Sequence, residues 1–511
     1  MLGVLVVATL LASCSSSTTI PSPTSPSSPG TVNIPVGGLP GLPSTLTTTG
    51  IHVVHPSGGP PYLADSAGQA VLLRGVDTNG LVQYPADYQE EIPPTKKDLV
   101  EMSALGFDFL RLAVSWSRIE PSPGHFDTAY LAKVTQVVRW AREEGIAVLL
   151  DMHQDNWAAD TYPGHEDDGA PPWATLDGST PCTPEISTTA CSLAAFASFW
   201  ANRPVDGKPL QSWYLGALLA LGRAGGAMNR HSNVAGIELM NEPWPAGPQP
   251  FETSSLYPFY NRMIDGLRSA GVVVPLWFEP SIVRDLTENA VAEAKRFSNY
   301  ANLVYAVHIY TGVFSPPFTA PVPEKTALAS FAAAAKEASI FGTPWVDDEF
   351  GANASPTWDG WIAQQLALQN RYGVGSGFWL WKQHRGTWYR WALVNSNGSL
   401  RHSTKRAQLL SIPHVDAVPG RLLATSASPS RLTVTVDGPG GKAVLWGGTV
   451  VKRGGPTLVA AGKPVVEVDG RIAHSQCRQV RYASAAVDLS GCQVTFHVPA
   501  GRQSITLSTG S

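Results

Sequence analysis

The sequence predicts a (β/α)8 TIM barrel followed by a smaller antiparallel β-sandwich. Two patterns in the 511 residues support this: apolar strands alternate with helix-like stretches over residues 50–412, and short β-branched strands with Gly and Pro turns follow over residues 413–511. Strands that alternate with helices are typical of a parallel sheet. Eight such strands, with insertions, match a (β/α)8 barrel.

The elements of the barrel can be placed in order along the chain. The predicted strands are 71–76, 107–113, 146–153, 234–241, 273–279, 303–309, 344–350 and 377–381. The predicted helices are 97–105, 129–144, 212–223, 257–270 and 326–338. The largest insertion, residues 156–199, follows the third strand at its C-terminal end, so we expect it to wall the active site.

The C-terminal region carries a different pattern. Its predicted strands are 432–436, 443–446, 464–468, 494–498 and 504–508, which are short and rich in β-branched residues. Such a series of strands separated by turns indicates an antiparallel sandwich.

Composition argues against two classes of partner. The formal net charge is −4 and only 15 % of residues are charged, so bulk electrostatics attract neither nucleic acid nor acidic lipid head groups. The 43 % of hydrophobic residues are enough for a sizeable core. We expect a monomer.

The N-terminus predicts export. The apolar run 2–12 is too short to span a bilayer and is typical of a signal-peptide core. The end of that segment, Leu11 to Cys14, resembles the lipobox of bacterial lipoproteins, in which the cysteine is lipidated, although no Lys or Arg precedes the run. A plain signal peptide is the alternative. Residues 15–49, rich in Ser, Thr and Pro, form a predicted linker, so the protein is expected to be anchored to the cell membrane or secreted.

Four cysteines remain after Cys14, in two close pairs. Three pairings are possible, and the local one is favoured because each pair lies within its own region. The predicted disulfides are therefore Cys182–Cys191 and Cys477–Cys492, which an exported compartment permits.

The fourth predicted strand ends in a candidate catalytic acid. Hydrolysis of a glycoside needs two carboxyl groups, and in a barrel both come from the C-terminal ends of strands. Glu242 stands at such an end between Asn241 and Pro243, and we assign it as the acid/base. Glu238 points the same way but lies deeper, as a buried partner of a basic group. The alternative for Glu242 is a salt-bridged glutamate with no catalytic role.

The seventh predicted strand offers three consecutive acids. Asp347 and Glu349 are expected on one face of the strand, and Asp348 on the other. Glu349 is nearest the rim and is the predicted nucleophile, with Asp347 and Asp348 as alternatives.

Other strand ends supply candidate partners for this pair. Arg111 is expected to point inward and to keep the nucleophile ionised. Tyr310 can donate a hydrogen bond to the nucleophile, and His308 can hold the acid, unless both are packed core aromatics.

Two more strand ends are expected to bind sugar. His153 and Asp155 have no evident third ligand at short spacing, which favours sugar hydroxyls over a metal ion. Either Trp379 or Trp381, at the end of the eighth strand, is expected to lie under the sugar. No metal or other cofactor is expected.

Together these residues resemble glycoside hydrolase family 5 across the whole barrel. Asn241-Glu242-Pro243 is similar to the family's acid/base motif, and Glu349-Phe350-Gly351 to its nucleophile motif. The resemblance implies that the remaining active-site positions are Arg111, His153, Asn241, His308, Tyr310 and Trp379 or Trp381.

Within that family the chain resembles the endoglycoceramidases. The likeness lies in residues 74–76, 106–116, 148–155, 169–174, which include Trp173, and 236–244, and in the appended sandwich. It implies a glycosphingolipid substrate, cut between sugar and ceramide, with His153 and Asp155 in the subsite before the scissile bond. Asp77 and Trp173 are also expected to bind substrate. Asp77 stands where these relatives usually have Asn, near the sugar-binding floor, which leaves the identity of the sugar open.

Two other functions are compatible with the sequence. One is a family 5 hydrolase acting on polysaccharide or on small β-glucosides and β-galactosides. The other is a non-catalytic sugar-binding lipoprotein, against which the presence of both glutamates argues. If the enzyme retains configuration, its two carboxyl groups should be about 5–5.5 Å apart.

Overall fold

The computed structural model describes most of the chain after residue 47. The described residues are 48–82, 92–161, 168–183, 188–289, 294–314, 320–383, 391–400, 404–453, 464–484 and 487–509. The predicted signal peptide, Cys14 and almost all of the linker lie outside these ranges and stay predictions. Among the described helices, none has the length and apolar character needed to cross a membrane.

The predicted barrel is confirmed as a closed ring of parallel strands. Barrel strands one to eight are Arg74–Leu81, Phe109–Ser115, Ala147–His153, Val234–Glu238, Leu276–Phe278, Leu303–His308, Trp345–Phe350 and Ser376–Phe378. All of the predicted strands are present. The first begins later than predicted, because residue 71 belongs to a separate strand outside the barrel.

Helices surround the barrel and bury their apolar faces against it. The α-helices are Lys96–Ala104, Trp116–Ile119, Thr128–Glu144, Ala190–Trp200, Leu210–Gly225, Tyr257–Ser269, Ile282–Thr287, Glu324–Phe341, Asp359–Tyr372 and Thr404–Leu410. Local sequence sets their ends. Thr95 forms a capping box with Asp98 at the first helix, and Asp127 caps the third. Gly145 ends that third helix in the left-handed conformation.

The C-terminal region forms two antiparallel sheets, as predicted for a sandwich. A five-stranded sheet contains Arg421–Ser428, Arg431–Gly438, Gly501–Ser508, Val465–Val468 and Arg471–Ile472. A seven-stranded sheet contains His414–Pro419, Gly441–Arg453, Val487–Val498 and Ser475–Ala483, together with three strands from the start of the described chain. The apolar residues between the sheets form a core separate from that of the barrel.

Those three strands change the predicted domain boundary. They are His52–Val54, Tyr62–Ala64 and Gln69–Val71, and the last pairs with His414–Pro419. The sequence predicts residues 50–71 as part of the catalytic domain, but in the structure the three strands within residues 52–71 extend a sheet of the sandwich. The pairing joins Val71 to Ala417 and is therefore invisible to local sequence patterns.

Both predicted disulfides are present. Cys182–Cys191 ties the insertion after barrel strand three to the start of the helix Ala190–Trp200, with the Cα atoms 4.8 Å apart. Cys477–Cys492 links two neighbouring antiparallel strands of the sandwich, with a Cα separation of 5.6 Å.

Candidate active site

The two predicted catalytic glutamates converge on one histidine. His308 Nδ1 lies 2.8 Å from Oε1 of Glu242 and 3.8 Å from Oε1 of Glu349. The two oxygens are therefore no farther apart than the sum of these distances, about 6.6 Å. That limit on one pair of oxygens is compatible with the separation of about 5–5.5 Å between carboxyl groups that retention requires.

Arg111 joins the nucleophile candidate to the strand that carries the acid/base. Its guanidinium is fully buried and donates hydrogen bonds of 2.7 Å to Glu349 Oε2, Glu238 Oε2 and Asn241 Oδ1. The Tyr310 hydroxyl donates to the other oxygen of Glu349 at 2.7 Å. The predicted contacts of Arg111 and Tyr310 are thus present, and Glu238 is the buried partner of a basic group, as expected.

The predicted orientation of the three acids in barrel strand seven is wrong. Asp347 points out of the barrel and accepts a hydrogen bond from Gln369, whereas Asp348 points in, 3.7 Å from Arg111 Nε. The strand pairing shifts register between Asp347 and Phe350, which breaks the alternation of side chains. As a result Asp348 and Glu349, which are consecutive, both face the barrel interior.

The surroundings of the two glutamates favour different protonation states. Burial, with Asp155 nearby, raises the pKa of Glu242 to about 8, so this group keeps its proton at neutral pH. Burial also raises the pKa of Glu349, but the Arg111 charge opposes that shift, and the hydrogen bonds from Arg111 and Tyr310 favour the ionised form. Burial lowers the pKa of His308 to about 4, so the imidazole between them is neutral.

His153 lies beside this pair as a charged group. Its Nδ1 is 2.7 Å from Asp151 and its Nε2 is 3.5 Å from Asp155. Burial disfavours its protonation, but the carboxyls of Asp151, Asp155 and Asp168 together outweigh burial and raise the pKa of His153 well above the ordinary value. The Trp379 ring stacks on the imidazole, with ring centroids 5.4 Å apart and an angle of 10° between the planes. Trp379 is half-buried and remains the candidate floor for a sugar.

The structure supplies the third ligand that sequence spacing did not show. A bridge between Asp155 and Asp168 brings the Asp168 carboxyl into a group with His153 and Asp155, with ligand atoms within 4.8 Å of one another. These acids favour a protonated His153, and a protonated imidazole can donate hydrogen bonds to sugar hydroxyls.

Three residues that were predicted to contact the substrate make other contacts in the structure: Trp381, Trp173 and Asp77. Trp381 is fully buried and donates to Asp98 in the surrounding helix layer, so it does not lie under the sugar. Trp173 packs edge-on against Trp116 and Trp213, and its indole donates to the Glu120 carbonyl. These contacts place Trp173 among the packed aromatic residues near the helix Leu210–Gly225. None of these contacts of Trp173 is with Glu242 or Glu349.

Asp77 lies in the barrel interior, where its side chain is fully buried. It pairs in register with Arg111, and its carboxyl fits there because position 377 is glycine: a Cβ at Gly377 would come within 2.4 Å of Asp77 Oδ1. Burial raises the pKa of Asp77 well above the ordinary value. The predicted direct contact with sugar is therefore not supported, and Asp77 belongs to the layer of carboxyl groups around Arg111.

Three functional candidates were missed in the sequence. Gln154 donates to the backbone carbonyls of Asn241 and Glu242 at 2.7 Å and 3.0 Å. Glu279 accepts the backbone N–H of Glu242. The Asp285 carboxyl is close to the Glu242 carboxyl and to the His308 imidazole, and Asp285 is 3 % exposed. Glu279 ended the predicted fifth strand, so its position at a barrel rim was a signal that could have identified it.

Comparisons with known proteins identify the family of the barrel. A family model described as cellulase (glycosyl hydrolase family 5) matches residues 64–202 and 227–385. Endoglycoceramidase I of Rhodococcus hoagii is 28 % identical over 277 residues, which are 49 % of this chain and 51 % of that protein. Endoglycoceramidase of Cyanea nozakii is 27 % identical over 212 residues, 36 % of this chain and 40 % of that protein. The chain therefore spans about half the length, or less, of these two relatives.

Solved structures share the fold over nearly the whole chain. A crystal structure of endogalactoceramidase superposes with a TM-score of 0.71 at 24 % identity, over 90 % of this chain and 100 % of that one. Endo-glycoceramidase II from Rhodococcus sp., in complex with ganglioside GM3, gives a TM-score of 0.67 at 22 % identity, over 89 % and 100 % of the two chains. Because the family model matches more than half of its residues, this chain belongs to glycosyl hydrolase family 5.

Proposed function

We propose that this protein is a retaining β-glycosidase that cleaves glycosphingolipids between sugar and ceramide. The observation that carries the proposal is the glutamate pair: Glu242 is protonated at neutral pH, and Glu349 lies close by, where Arg111 and Tyr310 favour its ionised form. A proton donor beside a carboxylate nucleophile is the arrangement that double displacement requires.

The geometry assigns each glutamate a role in both steps. In the first step Glu349 attacks the anomeric carbon while Glu242 gives its proton to the departing oxygen, which leaves a covalent glycosyl-enzyme ester. In the second step Glu242, now ionised, takes a proton from water as that water attacks the anomeric carbon. The ester breaks, Glu349 is released as a carboxylate, and the configuration is retained.

An apolar surface beside the nucleophile supports a lipid substrate. Phe314 is 46 % exposed, and its ring packs on Tyr310 with centroids 4.9 Å apart and on Trp391 with centroids 5.7 Å apart. Tyr310 in turn donates to Glu349, so this surface borders the cleavage point. The proteins named endoglycoceramidase that the chain resembles favour the same substrate class.

The test is the release of intact ceramide. We expect purified enzyme to convert lactosylceramide to lactose and ceramide, measured by mass spectrometry, and expect Glu349→Gln to release none. Hydrolysis of cello-oligosaccharides or small aryl glycosides without ceramide release would instead support the second candidate function, a non-lipid family 5 hydrolase, which the cellulase description of the family model favours.

The raised pKa of Glu242 predicts the alkaline side of the pH profile. Only the protonated acid can assist departure of the leaving group, so kcat/KM should fall as pH rises through about 8. On the acid side, kcat/KM should fall as Glu349 is protonated, at a pKa above its ordinary value of 4.5. The measurement is kcat/KM for a glycoside with an alkyl leaving group between pH 4 and pH 10. An alkaline limb that persists in Glu242→Gln would show that another group is the acid.

A further inference from the structure

The backbone of Glu242 is held in an uncommon conformation. Its φ angle is +39°, in the left-handed region that residues other than glycine seldom adopt. Such conformations persist where the surroundings fix them, and they cluster at functional sites. Two side chains hold the peptide groups of Glu242: Gln154 donates to its carbonyl oxygen at 3.0 Å, and Glu279 Oε2 accepts from its N–H at 2.9 Å.

Glu279 connects this backbone to both other parts of the site. It follows barrel strand five directly and is 1 % exposed. Its second oxygen, Oε1, lies 3.5 Å from Arg111 Nη2 and 3.5 Å from His308 Nε2. The Tyr260 hydroxyl donates to the Glu279 carbonyl oxygen at 2.9 Å, which fixes the residue from the helix layer.

We propose that Glu279 is a positioning residue that aims the Glu242 carboxyl at the leaving-group oxygen, by holding the Glu242 N–H in the left-handed conformation. The inference rests on the proposed glycosidase function and goes beyond it, because Glu279 itself touches no reacting atom. Without this acceptor a buried N–H loses its partner, and the peptide can relax toward a common conformation. The carboxyl then points away from the departing oxygen, while Glu349 keeps its own bonds to Arg111 and Tyr310.

If Glu279 has this role, the rate lost on its replacement should depend on the leaving group. Alkyl leaving groups such as ceramide need a proton as they depart, whereas 2,4-dinitrophenolate departs without one. Misdirection of Glu242 should therefore slow only the first class. General damage to the barrel should slow both classes equally, because both need the same nucleophile and the same sugar subsite.

The geometry also predicts which substitution is tolerated. The interaction with Glu242 needs an acceptor oxygen, which a glutamine side chain of the same length retains. Burial, together with the neighbouring Glu238, raises the pKa of Glu279 well above the ordinary value, so the loss of charge in Glu279→Gln should matter little. Leucine has a similar size and no acceptor.

The experiment compares kcat/KM, which reports the glycosylation step, for lactosylceramide and for 2,4-dinitrophenyl β-lactoside. We expect Glu279→Leu to lose about 100-fold or more on the glycolipid, as for an impaired general acid, and less than about 5-fold on the activated substrate. We expect Glu279→Gln to restore the glycolipid rate to within about 5-fold of the original enzyme. Asp347→Asn is the matched control, since this buried acid of strand seven points out of the barrel, and any loss should be equal for the two substrates.

Other outcomes would contradict either the positioning role of Glu279 or the proposed lipid substrate, and the experiment distinguishes the two. Equal losses of Glu279→Leu on both substrates, or no loss on either, would overturn the positioning role. If Glu279→Leu fails to fold, Glu279→Asp replaces it, because the shorter acid withdraws the acceptor from the N–H and should give the same selective loss. If the original enzyme cleaves the dinitrophenyl lactoside but not lactosylceramide, the lipid part of the proposed function fails, and the same comparison is made with an alkyl β-lactoside.

Discussion

Replacing Glu349 with alanine should reduce glycoside hydrolysis by about 10,000-fold or more, because the variant lacks the carboxylate assigned to form the covalent intermediate. Sodium azide should restore part of the activity, since the small anion can occupy the space of the missing carboxylate. Azide then attacks from the nucleophile's face in a single displacement. The product should therefore be the glycosyl azide of inverted configuration, which NMR spectroscopy identifies from the anomeric coupling constant.

The neighbouring acid is the control for this experiment. Asp348 also faces the barrel interior, at 3.7 Å from Arg111 Nε, but Tyr310 bonds to Glu349. Azide should leave the rate of Asp348→Ala unchanged. If azide instead rescues Asp348→Ala and not Glu349→Ala, the nucleophile is Asp348.

Replacing Arg111 with leucine should destabilise the protein by about 3–5 kcal/mol and abolish activity. The guanidinium is fully buried, and carboxyl oxygens lie 2.7–3.7 Å from it in a group formed by Glu349, Glu238, Asp151, Glu279 and Asp348. Its removal leaves these acids without their common cation. Urea unfolding followed by tryptophan fluorescence measures the loss of stability.

Arg74→Leu separates this effect from the loss of any buried arginine. Arg74 is also buried in the barrel wall, but it donates to the amide oxygen of Asn370 and makes none of the contacts of the glutamate pair. It should cost less stability than Arg111→Leu and leave the pH dependence of kcat/KM unchanged. Equal stability losses in the two variants would mean that the carboxyl cluster does not depend on Arg111.

The barrel could be predicted from the sequence because each strand and helix has its own local pattern of hydrophobic residues. The sequence also predicted the glutamate pair and the contacts of Arg111, since these depend only on which residues end each strand. The direction of Asp348 was missed because one register shift reverses the alternation on which the prediction rested. Pairing between distant segments, such as Asp155 with Asp168, leaves no local pattern.

The two tryptophans that follow barrel strand eight show the same limit of local patterns. Trp379 and Trp381 are two residues apart, so alternation in an extended strand gives them the same direction. Strand eight ends at Phe378, before either residue, and the chain beyond it no longer alternates. Trp379 turns to stack on His153, while Trp381 turns to Asp98 in the helix layer.

Because Gln69–Val71 pairs with His414–Pro419, the barrel lies in the sequence between two neighbouring strands of the sandwich. The two points at which the chain enters and leaves the barrel are held one strand spacing apart, about 4.8 Å. The sandwich thus holds the two ends of the barrel segment together. Deleting residues after 412 removes the paired strand and uncovers Gln69–Val71, so we expect a barrel cut at the predicted boundary to be less stable than the whole chain.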